Sequence, residues 1–362
     1  MTTTRASGRE QAGPATTTPI RPPIDPKVRG LRIVVGVVAA AAALYAPFYF
    51  PAAQNKVLSQ ALYLAIAAMG LNLLTGFNGQ VSIGHGAFFG VGAFTSGLLV
   101  VKQGWPYEAT IPVAALVAAV VGLLVGFPAL RVRGLYLALV TLGLAVLFPQ
   151  LGQKYVKGSG GVPLLQPSLT DTKSLLQGLA DDQYAYYLTL LVLVIVTLLT
   201  WSLVNSRAGR AMVAVRDQEL AAATVGVNLA QVKVLTFAIS AAYAGAAGSL
   251  SFMIDRVADA TNPVIYFQRS IEFLVAMVVG GAATITGPIV GALAVVLLRR
   301  NTEQLIEGKP ILSPALFGAA LIAIVYVLPE GIIGGVRRLT SRVTHRPPPP
   351  STLTTTTSDT SV

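Results

Sequence analysis

Apolar runs separated by short polar interruptions fill the chain between residues 31 and 328. Runs at 31–50, 57–75, 81–101, 110–130, 135–151, 184–204 and 231–254 each approach the ~20 apolar residues that carry a helix across a bilayer. A further run, 271–298, is interrupted by Gly280-Gly281 and by Gly287-Pro288, and 311–328 is the last. The pattern predicts an all-α, polytopic membrane protein with a transmembrane domain at 31–336. Residues 1–30 and 337–362 are rich in Thr, Pro and Arg and lack an apolar period, which predicts disordered tails. The first tail is too long and too broken by proline for the leading part of a secretory signal.

Two interruptions stand out. Residues 76–86 read GFNGQVSIGHG, between two runs long enough to span. Irregular backbone at membrane depth is tolerated only against protein or a wet cavity. Asn72, Asn78, Gln80, Ser82 and His85 are therefore candidate lining for a translocation path, together with Gly280, Gly281 and Gly287 of the second interruption. Broken helices in corresponding halves of a chain point to transport sites. Here the broken regions are expected at 76–92 and 280–291. The spacing Gly86/Gly90 and Gly287/Gly291 also suits close helix packing.

The other interruption is 205–230, a polar, charged segment whose core, 211–225, has neither proline nor glycine. It predicts a short helix held between two spans, stopped at Gly226, with Asn228 and Gln231 at capping-box spacing for the next helix. Arg207, Gly209, Arg210, Arg216, Asp217, Glu219, Ala222 and Gly226 are its candidate docking residues. An ordinary solvated loop would carry the same charges.

Lys and Arg set the orientation. With the N-terminus inside and spans alternating, the Arg131–Val132–Arg133 turn and residues 205–230 face the cytoplasm, and 153–183 faces out. The basic C-terminal tail, with Arg337, Arg338, Arg342 and Arg346, belongs inside as well. Nine spans would put it outside; ten place it correctly if 271–298 crosses twice. Each half would hold about 13 residues, or roughly 20 Å of helix, short of a roughly 30 Å hydrocarbon core. Both halves are then expected to be half-helices buried in the bundle, with both termini cytoplasmic.

Composition agrees with the pattern. The 362 residues are 54% hydrophobic and 11% charged, with mean hydropathy +0.67, against about 25% charged in soluble domains. The net charge of +11 is spread singly or in pairs over loops and tails, which argues against nucleic acid as partner. With no cysteine and two histidines, His85 and His345, no disulfide or thiolate site exists and a histidine metal site is not expected. No GxxxxGK[ST] phosphate loop occurs, so no ATP hydrolysis and no bound cofactor are expected of this chain.

Residues 70–94, GLNLLTGFNGQVSIGHGAFFGVGAF, resemble the signature of the LivM-type permeases of branched-chain amino acid ABC importers. Residues 206–250, beginning SRAGRAMVAVRDQELAAATVGVNLAQVK, are similar to that family's cytoplasmic loop and following span. GGAATITGPIVGA at 280–292 and LPEGIIGG at 328–335 resemble its C-terminal segments. The resemblance runs from about residue 31 to 338. It implies a bacterial plasma-membrane subunit that pairs with a second, LivH-like permease and two ATP-binding subunits, which bind the ATP. An extracytoplasmic solute-binding protein would deliver the substrate, a branched-chain amino acid or a related amide or urea. The loop at 207–226 would be the element seated in the ATPase. One departure concerns the general importer loop pattern, Glu-Ala-Ala followed after three residues by Gly. Ala221, Ala222 and Gly226 fit it, but Leu220 holds the acidic position and Glu219 lies one residue earlier.

Two other function classes compete. An ATP-independent transporter or channel predicts ionisable groups inside the spans for gradient coupling. The spans are nearly bare of them apart from His85 and edge residues such as Lys233 and Glu272. A membrane enzyme would need a nucleophile, a base and an orienting group; Ser82 and His85 lack the third. The uncharged path residues suit a neutral or zwitterionic solute. No buried Asp/Arg pair is expected to grip an amino acid at its charged ends, so selectivity would rest with the binding protein.

Overall fold

The computed structural model describes residues 26–130, 135–155, 164–165, 180–258, 264–305, 312–328, 330–335 and 338. The Arg131–Val132–Arg133 turn, most of 153–183 and nearly all of both predicted tails lie outside the described residues. Two units divide after Ala46. The first holds most of α1 (Pro26–Tyr49); the second holds everything from Pro47 onward.

The second unit is a helical bundle. Its helices are α2 (Ala52–Leu71), α3 (His85–Gln103), α4 (Tyr107–Ala129), α5 (Leu135–Tyr155), α6 (Asp181–Asn205), α7 (Arg207–Asp217) and α8 (Glu219–Thr224), followed by α9 (Leu229–Asp255), α10 (Ile265–Gly280), α11 (Gly287–Leu305) and α12 (Leu312–Val327). A π-helix, Asn72–Phe77, continues α2 without a stop. The only strand pairing among the described residues is a short antiparallel one, β1 (Leu164–Leu165) with β2 (Val257–Ala258). Among the described residues five helical segments are long and apolar enough to cross a membrane: Ala52–Phe77, His85–Gln103, Tyr107–Pro128, Asp181–Asn205 and Leu229–Asp255.

Local chemistry sets the helix ends. Pro51 and Pro106 precede α2 and α4 in extended conformation, where a missing N–H costs nothing. The Asn228 side chain accepts from the Gln231 N–H at 3.1 Å and starts α9, which is the cap the spacing predicts.

α9 is the axis of the bundle and packs on α2, α3 and α4. Its middle is a run of small residues, and their lack of bulk lets backbones touch. A Cβ on Gly248 would overlap the Phe89 carbonyl, and one on Gly92 would overlap Gly245. The outward faces reverse the soluble pattern. Leu116, Leu124 and Phe127 on α4, Tyr136 and Leu139 on α5, and Leu191, Leu198 and Trp201 on α6 are all exposed. An apolar surface this extensive belongs against lipid or a partner subunit.

The bundle has two chemically distinct ends. At one, α7 and α8 meet the π-helix and the start of α9. At the other, the start of α2, the start of α6 and the end of α9 share a charged cluster. α10 begins near that cluster and finishes beside the π-helix, and α11 returns. These two helices have 16 and 19 residues, about 24 and 28 Å long at ~1.5 Å per residue. They are longer than the half-helices expected. They extend beyond the 271–298 apolar run at both ends, α10 by residues 265–270 and α11 by residues 299–305. Arg269 is paired with Glu272 one turn on, Nη1 to Oε2 at 2.9 Å, and the helix starts before the apolar run does.

Candidate functional site

The two interrupted regions meet. Asn72, the first residue of the π-helix, is buried. Its Oδ1 accepts from the Ala283 N–H at 2.8 Å and its Nδ2 donates to the Thr284 carbonyl at 2.8 Å. A π-helix forgoes regular i to i+4 pairing and is often found at functional sites. Here it turns Asn72 onto the 281–286 loop that joins α10 to α11. A Cβ on Gly76 would strike both the Asn72 side chain and the Ala283 N–H, so the contact needs glycine. In the second region, Gly280 and Gly287 approach backbone to backbone, and Gly281 has φ +118°, open to glycine alone. Thr284 ties the loop by donating to the Gly281 carbonyl at 2.6 Å and accepting from the Gly287 N–H at 3.1 Å. Gly86 and Gly291, the ends of the two glycine spacings noted in the sequence, sit against the Tyr266 and Ala276 backbone and serve packing.

The segment from Asn78 to Gly84 is irregular yet largely buried. Gln80 donates to the Lys233 carbonyl at 3.3 Å, and the Ile83 N–H donates to Thr141 Oγ1 at 3.1 Å. Both amide atoms of Asn78, the Ser82 hydroxyl and His85 Nδ1 are buried and have no hydrogen-bond partner among the described residues. Buried polar atoms are rarely left so, and here three neighbouring residues share the condition. His85 opens α3 with its ring edge-on to Phe88 and Phe273. Its Nε2 lies 3.4 Å from Ser240 Oγ, which itself donates to the Gly70 carbonyl at 2.6 Å. Among the described residues no carboxylate is hydrogen-bonded to the ring.

Where a single helix is predicted over 211–225, two are found, α7 and α8, broken at Gln218, whose backbone is extended. Ser206 caps α7, accepting from the Ala208 N–H at 3.1 Å. Gly209 is pressed on the Val204 carbonyl, and Ala222 is buried. Gly226 has φ +88° and ends α8 as its spacing predicts. Arg207, Arg210 and Asp217 face solvent. Arg216 is exposed too, yet it reaches back to the bundle: its Nη1 donates to the Gly76 carbonyl at 3.0 Å, and its stem packs on Gly79. A guanidinium on the last carbonyls of a helix also complements the helix dipole. Asp217 pairs with the same guanidinium at 2.9 Å, and Glu219 pairs with Lys233 at the foot of α9. Leu220 and Val225 are each 78% exposed on α8.

The sequence reading missed the opposite end. Asp255 accepts from Gln60 Nε2 at 2.8 Å and from the Tyr63 hydroxyl at 3.0 Å, with Lys56 at 3.9 Å. Asn55 donates to Asp182 and Arg256 pairs with Asp181. Glu272 is shared by Arg269 at 2.9 Å and Arg299 at 3.0 Å. Asp255 and Arg269 line one cavity, each partly buried, so they are not the fully buried Asp/Arg pair that the sequence argues against. A signal for it exists in the sequence: the two residues flank the same connection, Asp255 at the end of α9 and Arg269 near the start of α10.

Among the described residues no cluster of His, Cys, Asp and Glu suits a metal ion. A family model described as branched-chain amino acid transport system / permease component matches residues 53–325. The high-affinity branched-chain amino acid transport system permease protein LivM of Escherichia coli strain K12 is 29% identical over 309 residues, which is 79% of this chain and 71% of LivM. LivM of Salmonella typhimurium matches to the same extent. The companion permease protein LivH of Escherichia coli strain K12 is 29% identical over 289 residues, 75% of this chain and 91% of LivH. No solved structure matches the chain.

Proposed function

The chain belongs to the family of branched-chain amino acid transport permease components, and from that footing we propose how it works as the LivM-type transmembrane subunit of an ATP-driven importer. It sits in the bacterial inner membrane beside a second, LivH-like permease. Two ATP-binding subunits supply the energy and carry the nucleotide, and a binding protein outside delivers a branched-chain amino acid.

One observation carries the coupling mechanism: α7 and α8 are joined directly to the interrupted helices. The exposed Leu220 and Val225 offer an apolar contact to the ATPase, and Arg216 holds the Gly76 carbonyl from the same element. Asn72, one turn before Gly76, holds the 281–286 loop. Movement of α7 and α8 on nucleotide binding then passes through Arg216 to the π-helix, and through Asn72 to α10 and α11. Glycine at 76, 280 and 281 lets these segments shift without side-chain clashes. Asn78, Ser82 and His85 line the inner part of the path, where their unpaired polar atoms meet solute or its water.

The same reading gives ten crossings, α1 to α6 and α9 to α12. It places α7, α8 and both termini in the cytoplasm, with the charged cluster outside. α10 and α11 each run the length of the bundle, which supports ten crossings over nine.

Substituting Leu220→Glu tests the docking surface. The expected result is loss of co-purification with the ATP-binding subunits while the two permeases stay paired. A complex that assembles with normal nucleotide-dependent transport would overturn α8 as the docking element.

A further inference from the structure

A cavity of about 180 Å³ lies between α3, α9, β2 and α10 at the end of the bundle away from α7 and α8. At ~30 Å³ per water it holds about six waters' worth of space. Phe89 and Ala93 on α3, with Ile265 and Tyr266 on α10, give it apolar walls, and Asp255 and Arg269 both line it.

Each group has an ion-pair partner in the protein, Lys56 at 3.9 Å for Asp255 and Glu272 at 2.9 Å for Arg269, yet keeps hydrogen-bonding capacity. Asp255 Oδ1 takes one close hydrogen bond, from Gln60, and Oδ2 one, from Tyr63. A carboxylate oxygen accepts about two, so each retains capacity. Arg269 donates through Nη1 to Glu272, and a guanidinium has about five N–H donors. Glu272 is divided between Arg269 and Arg299, so it does not neutralise both arginines. The Asp255 and Arg269 side chains are only 19% and 22% exposed, which strengthens electrostatic contact with whatever enters.

We propose that this cavity is a solute-binding site within the permease itself, taking a zwitterionic amino acid by its ammonium on Asp255, its carboxylate on Arg269 and its aliphatic side chain against Phe89, Ala93 and Ile265. A zwitterion adds no net charge to a site that already holds one charge of each sign, and each end finds a partner. A neutral amide or urea brings no opposite charge to either group and is disfavoured. The site deepens the importer reading and rests on it for direction, since it lies at the outer end. Its walls belong to α3 and α10, whose other ends carry His85 and Gly280, so an occupant touches both helices that lead to the interrupted regions.

The test uses the purified complex of both permeases and both ATP-binding subunits. Saturable binding of radiolabelled L-leucine is measured in detergent without the binding protein, and ATP-driven leucine uptake is measured in proteoliposomes with it. Binding is repeated with 4-methylpentanoate, which keeps the carbon skeleton and lacks the ammonium. The wild type is expected to prefer leucine by at least about tenfold. D255N should abolish that preference and lower uptake, a change in selectivity that a purely structural role would not produce. Should D255N fail to assemble, Ile265→Trp, which fills the cavity from its rim without altering charge, should remove leucine binding. Leucine binding and uptake equal to wild type in these variants would overturn the site while leaving the importer intact. Asp255-dependent leucine binding without ATP-driven uptake would keep the site and overturn the importer reading. A wild-type complex that neither binds nor transports leucine would overturn both.

Discussion

One carboxamide, that of Asn72, joins the two interrupted regions, and all of its work is done on backbone. Asn72→Ala removes two hydrogen bonds and leaves the Ala283 N–H without its partner. Each such loss in a buried setting costs about 1–3 kcal/mol. The expected outcome is a lower thermal unfolding midpoint for the purified subunit and sharply reduced ATP-driven uptake, with nucleotide hydrolysis less affected. A variant with normal uptake would remove Asn72 from the transmission path. His85 has a different environment, with Nδ1 buried and unpaired beside Asn78 and Ser82. His85→Ala is expected to reduce uptake several-fold while assembly persists; unchanged affinity and rate would take His85 off the path. The sequence could nominate Asn72 and His85 together as polar residues near a glycine-rich break. It could not separate a brace from a lining residue, because that depends on what lies 211 positions away at Ala283.

At the scale of elements, the proposed mechanism gives α7 and α8 two tasks that substitutions can separate. Arg216 points inward to Gly76 and Leu220 points out. Arg216→Ala should leave the complex assembled and hydrolysing ATP but uncoupled, with uptake lost. Arg210 is exposed, so Arg210→Glu should act on docking alone and weaken co-purification with the ATP-binding subunits. If Arg216→Ala transported normally, the link from α7 to the π-helix would have no mechanical role. Much of this element was legible in advance. The Asn228 cap and the Gly226 stop are short-range chemistry, and short-range chemistry is written locally. The break at Gln218 was not legible, since it depends on α7 and α8 packing on different neighbours. The start of α10 differs from the sequence expectation for a related reason. Hydropathy treats Arg269 as a residue that must leave the membrane, whereas pairing with Glu272 keeps it in a helix.

For the whole molecule, the all-α membrane class follows from hydropathy alone, and family membership agrees with it. The outer charged cluster was not readable, because Lys56, Asp181, Asp255, Arg269 and Arg299 come from five separate stretches and only the folded bundle gathers them. The chain contains no cysteine, so single cysteines can be introduced without a background. Cysteines at Ser351 and Gln218 are expected to react with impermeant maleimide only from the cytoplasmic side, and one at Lys56 only from outside. Labelling of position 351 from outside would contradict ten crossings. The central claim is that this chain moves solute only as part of an ATP-driven assembly. It is tested most directly by leucine uptake into proteoliposomes carrying either the purified chain alone or the chain with its permease partner, both ATP-binding subunits and the binding protein. Uptake is expected from the full assembly with ATP inside and from nothing less; uptake by the chain alone, without ATP, would contradict it.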